Sequence, residues 1–114
     1  MKNSKMKKEF KVIAELLPNN TRVLDVGCGY NEFKGKINNL IGIDPYNNKA
    51  DLEVGTLQFR TDQKFDVILC LGSVNFGSRD KIIAEVGRCV DLLAEGGTMS
   101  VSYTHLTLPT ILRV

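Results

Sequence analysis

The feature that most constrains this sequence is a short strand-like run that ends in glycines. Arg22–Val26 is followed at once by Gly27-Cys28-Gly29. A strand that ends in glycines lets a ligand lie against bare backbone, where a side chain would collide. Peptide N–H groups after such a turn, at the start of a helix, suit a carboxylate or a phosphate. The segment therefore predicts a buried strand that leads into a ligand-binding loop.

Strand-like and helix-like segments alternate along the rest of the chain. Phe65–Leu71 is apolar at every position but one, which is typical of a parallel strand buried on both faces. Alternation of strands and helices predicts an α/β fold with a Rossmann-like, doubly wound, mostly parallel sheet in three α/β/α layers. We expect about five strands, without the last two of a complete domain. The other predicted elements are a helix over residues 4–17, strands Leu40–Ile43 and Thr98–Tyr103, a short edge strand near Asp51–Val54, and a helix over Asp80–Leu93 that ends at Gly96-Gly97.

The composition is that of an ordinary globular chain. Of its 114 residues 43% are apolar and 25% charged, with a formal charge of +2, so no charged partner is indicated. No apolar run approaches a membrane span and no signal peptide precedes the domain, so we expect a cytoplasmic protein without a membrane partner. Cys28, Cys70 and Cys89 lie far apart without CxxC spacing, which predicts three reduced thiols and no metal site.

Two acidic residues end the first two predicted strands. Asp25 stands just before the glycines, and Asp44 follows Leu40–Ile43. The carboxyl ends of parallel strands meet at one edge of the sheet, where doubly wound folds bind their ligands. A carboxylate in the position of Asp44 can accept both hydroxyls of a ribose, so this edge is the predicted nucleoside site.

Four motifs in sequence order resemble class I S-adenosylmethionine-dependent methyltransferases. They are Asp-x-Gly-x-Gly at Asp25–Gly29, the acid Asp44, Phe-Asp-Val-Ile at Phe65–Ile68, and Leu-Leu-Ala-Glu-Gly-Gly at Leu92–Gly97. The resemblance covers about residues 5–100. It implies a methyltransferase domain over residues 1–100 that binds S-adenosylmethionine as its cofactor.

The resemblance also implies a role for each residue that matches a family motif. Gly27, Cys28 and Gly29 would line the methionine end of the cofactor, with Asp25 beneath it and Asp44 on the ribose. Leu57-Gln58-Phe59 is similar to a family stretch preceded by an acid that contacts the adenine amino group. That comparison points to Glu53, with Asp51 as the rival. Leu71 and Gly72 would close the pocket beside the transferable methyl.

Two departures from the family pattern stand out. Asn31 occupies a position where the family often has a third glycine, and the crossover from Gly29 to Asp44 leaves room for only a small or irregular helix. Such compactness resembles phage-encoded methyltransferases. The alternatives are an inactive nucleotide-binding module and an NAD(P)-dependent oxidoreductase. The oxidoreductase needs a third glycine where this chain has Glu32.

Neither the catalytic residues nor the methyl acceptor is specified by the sequence. Methyl transfer relies largely on orientation, so no fixed triad is required. The acceptor could equally be a small molecule, a nucleic acid or a protein. Val101–Thr110 is similar to the translation of a transposase-type sequencing adaptor. We therefore expect residues 101–114, which include the only histidine, His105, to be a non-native tail.

Overall fold

The computed structural model describes residues 15–70, 78–101 and 110–113, with side chains up to residue 100. Glu15 and Leu16 are helical and Leu17 lies in a bend, while residues 4–14 of the helix expected over residues 4–17 lie outside the described residues. The elements in chain order are β1 (Arg22–Val26), β2 (Asn39–Ile43), β3 (Phe65–Cys70), α1 (Arg79–Leu92), β4 (Leu93–Val101) and β5 (Thr110–Arg113).

One five-stranded sheet has the order β2-β1-β3-β4-β5. The strands β1 to β4 run parallel, and β5 pairs antiparallel with β4. The central strand β1 pairs Asp25 with Gly42 of β2 on one side and with Leu69 of β3 on the other. The predicted Rossmann-like α/β class is confirmed, and the carboxyl ends of β1 and β2 lie side by side.

Side chains from both faces of the sheet are buried in two separate apolar clusters. One cluster packs Leu24 of β1 and Ile68 of β3 against Cys89 and Leu92 of α1. The other packs Val23 of β1 and Leu69 of β3 against two residues of the β1–β2 crossover, Phe33 and Ile37. Burial on both faces explains why β1 and β3 are apolar at successive positions, as parallel strands between two layers must be.

The β1–β2 crossover is built from turns rather than from a regular helix. Residues 27–38 contain turns and the isolated bridge between Lys34 and Ile37. Phe33 and Ile37 are 2% and 6% exposed. These two apolar side chains cover the face of the sheet that a helix would cover in a longer crossover. The expectation of a small or irregular crossover is confirmed. The prediction that a helix begins directly after the glycines is wrong, because residues 27–38 form no helix.

An ion pair ties the amino ends of β1 and β3 together at the edge opposite the glycines. The Asp66 carboxylate accepts from the backbone N–H of Arg22 at 2.9 Å and from its guanidinium at 3.0 and 3.1 Å. This partner holds the pKa of Asp66 below its usual range. The aspartate of the Phe-Asp-Val-Ile motif therefore has a structural role in joining two strands.

The junction between α1 and β4 differs from the prediction. The helix begins after Ser78, whose side chain accepts from the N–H of Lys81, and it ends at Leu92, where β4 follows without a loop. Gly96 and Gly97 therefore lie inside β4 and do not end the helix. Between the pairs Phe65–Leu93 and Val67–Thr98 the register shifts. Gly96 takes a φ of +76° in this bulge, which favours glycine.

Three smaller expectations are also corrected. The spacing of apolar residues in the sequence predicts Ile83 on the inner face of α1, but its side chain is 57% exposed, because Cys89 and Leu92 define the buried face. Instead of an edge strand at Asp51–Val54, a single bridge joins Leu52 to Ile43. The strand β5 was not predicted, since its residues fall in the expected tail. Within the described ranges, no helix is long and apolar enough to cross a membrane.

Gly97 offers a direct test of the β3–β4 junction. A Cβ at Gly97 would lie 2.9 Å from the Ala94 carbonyl oxygen and 3.2 Å from that of Asp66, which are backbone atoms that cannot move aside cheaply. We expect Gly97→Ala to lower the free energy of unfolding by about 1–3 kcal/mol in denaturant melts.

Gly87→Ala is the matched control for this experiment. Gly87 lies in α1, and a Cβ there would meet nothing within 4 Å. We expect this change to raise stability by about 0.5–1 kcal/mol, because alanine restricts the unfolded chain and favours the helix. Equal effects of the two substitutions would contradict the packing described at Gly97.

Candidate functional site

The loop after β1 is held against the end of β2 by hydrogen bonds. The N–H groups of Gly27 and Cys28 both donate to the Ile43 carbonyl, at 2.8 and 3.0 Å. The next N–H, that of Gly29, donates to the Asp44 carboxylate at 3.0 Å. Two consecutive residues at the end of β2 thus bind three consecutive peptide groups of the glycine loop.

These bonds change the expected role of the loop amides. The N–H of Asn31 donates to the Cys28 carbonyl at 2.9 Å, so four N–H groups between residues 27 and 31 are already paired within the chain. An anion site at a loop needs amides that point at the ligand. The loop can therefore approach a ligand closely, but its paired amides are not available to bind a phosphate.

Left-handed backbone recurs at alternate positions of the loop. Gly27, Gly29 and Asn31 have φ values of 67°, 57° and 61°, a region in which glycine and asparagine are tolerated. Asn31 therefore takes the backbone conformation that a third glycine would take. Its side-chain amide also donates to the Lys49 carbonyl at 3.1 Å, a bond that glycine could not make.

Gly42 of β2 allows the loop to pack closely on the sheet. A Cβ at Gly42 would lie 2.3 Å from the Asn31 Oδ1 and 3.0 Å from the Cys28 Sγ. On its other side, the N–H of Gly42 donates to the Asp51 carboxylate at 2.8 Å. A glycine within a strand is explained here by close approach of the neighbouring segment.

Asp44 is the half-buried acid that joins the loop to the segment after β2. Besides accepting from Gly29, its carboxylate accepts from the N–H of Tyr46 at 2.8 Å. A carboxylate has roughly four acceptor positions on its two oxygens. Two of these positions accept hydrogen bonds from backbone N–H groups. The other two positions equal the number that the two hydroxyls of a ribose require.

An open cavity of about 600 Å³ lies at this edge of the sheet. Gly27 and Asp44 line it where β1 and β2 end, Val54–Gln58 forms another part of its lining, and Lys81 and Glu85 contribute from α1. This volume lies within the range of about 300–1,000 Å³ that is usual for small-molecule and cofactor sites. The lining combines bare backbone with one carboxylate at strand ends, as a nucleoside-containing ligand needs.

The other predicted site residues lie in different places. Asp25 and Cys28 are buried, and Gly29 is half-buried with open space above its Cα. Glu53 is exposed and lies outside the cavity lining, although the lining segment begins at the next residue. Asp51 pairs with the Lys34 ammonium at 2.8 Å in addition to Gly42.

Leu71 and Gly72 lie outside the described residues. Their predicted positions beside the transferable methyl stay predictions.

Several residues that the structure brings to the site were not predicted from the sequence. Tyr46 lines the cavity although it is 90% exposed, and Thr56 lines it with 6% exposure. Lys81 and Glu85 are one helical turn apart on α1. No motif marked any of these positions. Tyr46 follows Asp44 by two residues, whereas Thr56, Lys81 and Glu85 reach the cavity through the packing of segments farther along the chain.

Solved structures provide a comparison for this architecture. The structure is similar to the N-methyltransferase NodS from Bradyrhizobium japonicum WM9 in complex with S-adenosyl-L-homocysteine, with a TM-score of 0.65 and 18% identity. It is also similar to CalS10, an amino pentose methyltransferase from Micromonospora echinaspora with bound S-adenosylmethionine, with a TM-score of 0.64 and 22% identity. A third similar structure is the 1,6-didemethyltoxoflavin-N1-methyltransferase of Burkholderia thailandensis, with a TM-score of 0.68 and 16% identity.

The fold is that of S-adenosylmethionine-dependent methyltransferases. These matches cover 83%, 82% and 86% of the chain. The chain in turn spans 60%, 49% and 51% of the three proteins, which is about half of their length. No protein-family profile and no curated protein matches the sequence, so the relationship is seen in the fold.

Cys28 lies within a group of carboxylates that suppresses its ionisation. Burial is the main cause, and the negative charges of Asp25, Asp44 and Asp51 add to it, raising the pKa of the Cys28 thiol to about 12. Cys70 and Cys89 are also free and buried, and burial together with Cys89 raises the pKa of Cys70. Cys28 is therefore an uncharged packing residue and not a nucleophile.

The buried thiol predicts a loss of stability at alkaline pH. In the unfolded chain Cys28 ionises near pH 8.5, whereas in the folded chain it stays protonated to about pH 12. The contribution of the protonated thiol to the free energy of unfolding is therefore complete below about pH 8.5. It is lost as the pH rises from there toward the folded pKa, at up to about 1.4 kcal/mol per pH unit.

Denaturant melts between pH 8 and pH 10.5 would measure this dependence. Cys28→Ala should lower the free energy of unfolding at every pH. It should also make the decrease of that free energy with rising pH less steep, because one ionising thiol has been removed. The same slope in the variant and the parent chain would show that Cys28 ionises normally in the folded state.

Proposed function

We propose that the chain is the cofactor-binding portion of an S-adenosylmethionine-dependent methyltransferase. The observation that carries the proposal is the position of Asp44 in the cavity lining beside Gly27, with two acceptor positions of its carboxylate unused by the backbone. The similar fold of methyltransferases that bind this cofactor or its product supports it.

The residues present fit the cofactor in charge and in shape. S-adenosylmethionine carries a sulfonium that supplies an electrophilic methyl group and needs no phosphate site. The backbone at Gly27 would allow the ligand to approach the end of β1, and Asp44 would hold the ribose hydroxyls. Because Gly29 and Tyr46 already fix Asp44, the carboxylate is oriented before the ligand arrives, which reduces the entropic cost of binding.

The same geometry gives less support to a dinucleotide. A pyrophosphate is bound by free amides at the start of a helix that follows the glycines. Here residues 27–38 form turns, and the amides of Gly27, Cys28 and Gly29 are paired with Ile43 and Asp44. We therefore rank the NAD(P)-dependent oxidoreductase below the methyltransferase. The methyl acceptor, the kinship with phage enzymes and the adaptor origin of residues 101–114 stay predictions.

Asp44→Asn tests the proposed ribose contact. The amide keeps one acceptor oxygen for the backbone but presents a donor in place of the second oxygen, so affinity for S-adenosylhomocysteine should fall by about 1–3 kcal/mol. Isothermal titration calorimetry on the full chain measures this change.

Asp51→Asn is the matched control, because Asp51 lies after the same strand but is occupied by Gly42 and Lys34. We expect it to affect stability and to leave affinity unchanged. Binding of NAD without any response to S-adenosylhomocysteine would refute the methyltransferase proposal. Equal losses in the two variants would refute the role given to Asp44.

Tyr46 provides an optical signal for binding. The chain has no tryptophan and three tyrosines, so its intrinsic emission comes from Tyr30, Tyr46 and Tyr103. Tyr46 lines the cavity with its ring largely exposed, and an aromatic ring in that position favours stacking with a purine. We expect S-adenosylhomocysteine to quench the tyrosine emission.

The quenching should disappear in Tyr46→Leu and persist in Tyr30→Leu. Tyr30 is the control because it is also exposed, at 70%, but lies outside the cavity lining. Quenching that survives the loss of Tyr46 would place the ligand elsewhere.

A further inference from the structure

The position of Asp44 in the cavity restricts where the base of a bound nucleoside can lie. If Asp44 holds the ribose and Gly27 borders the methionine end, as in the proposed function on which this inference rests, the remaining space is bounded by two rings, Pro45 and Tyr46, and by two segments, Val54–Gln58 and α1. The polar edge of the base must then meet side chains of these two segments.

Among the residues that the structure describes, one carboxylate belongs to this part of the lining. Glu53 is exposed outside it, and Asp51 is occupied by the N–H of Gly42 and the ammonium of Lys34. Glu85, in contrast, projects from α1 as a half-buried member of the lining. Within the described lining, the acid open to a purine amino group is thus Glu85 on the helix.

The surroundings of Glu85 leave it without a hydrogen-bond donor in the described part of the chain. Partial burial raises its pKa, and the positive charge of Lys81 opposes that effect. Lys81 and Glu85 are four residues apart and so share one face of the helix, but they form no ion pair within 4 Å. A ligand N–H would supply the donor that this partly desolvated carboxylate lacks.

We propose that Glu85 accepts a hydrogen bond from the exocyclic amino group of the bound purine, and that Lys81 faces the neighbouring ring nitrogen. A 6-aminopurine presents a donor beside an acceptor on this edge, which complements a carboxylate beside an ammonium. A 6-oxopurine presents the reverse order, with an acceptor carbonyl beside an N–H donor. The Lys81–Glu85 pair thereby selects adenine over hypoxanthine.

The test compares two ligands that differ only at this edge, S-adenosylhomocysteine and S-inosylhomocysteine, by calorimetry on the full chain. The parent chain should prefer the adenosyl ligand by about 10-fold or more, as expected of one hydrogen bond to a charged group. Glu85→Met, which keeps the length and the helix propensity but removes the acceptor, should weaken adenosyl binding by a similar factor and abolish the preference.

Two further variants keep the result interpretable. Glu85→Gln retains a carbonyl acceptor but loses the charge, so it should restore only part of the preference. Glu53→Met should leave both affinities unchanged, because Glu53 is outside the lining. Thermal melts of all variants establish that each is folded.

A Glu85→Met chain that keeps the preference, or a Glu53→Met chain that loses it, would overturn the assignment while leaving the proposed function intact. A parent chain that binds neither ligand would instead refute the proposed function.

Discussion

Hydrogen bonds between the end of β2 and the loop after β1 are the constraint on which the site depends. The Ile43 carbonyl accepts from two loop amides, and the Asp44 carboxylate accepts from a third. Because β1 and β2 are parallel neighbours, these groups meet without a long connection. The same bonds fix the loop, orient Asp44 and use the amides that would otherwise attract an anion. These three amides are therefore not available to a phosphate.

Close packing around Gly42 makes that arrangement possible. The side chains of Cys28 and Asn31 lie over its Cα, and the Asp51 carboxylate binds its N–H from the adjoining segment. Close approach of several acids to one buried thiol would be costly if they were all unpaired. Backbone amides and Lys34 satisfy Asp44 and Asp51, and the thiol responds by remaining protonated.

Much of the fold could be predicted because its signals are local. The strand β1 and its glycines were located to the residue, and Asp44 was correctly expected at the end of the next strand. The α1–β4 junction was not predicted correctly, because a Gly-Gly pair after a helical segment usually indicates the end of the helix. Contacts of Gly97 with Ala94 and Asp66 instead require glycine inside a strand. The contact with Asp66 depends on β3, which is about thirty residues earlier in the chain.

The sequence by itself determined the class of fold and the strand–glycine–acid arrangement, because alternating apolar runs and glycine conformations are properties of neighbouring residues. Only the tertiary structure decided which polar groups are occupied and which face the cavity. It paired Asp51 with Gly42 and Lys34, left Glu53 exposed, and brought Glu85 from α1 into the lining. The physical reason is that the accessibility of a carboxylate depends on segments far away in the sequence, whose approach no local pattern records.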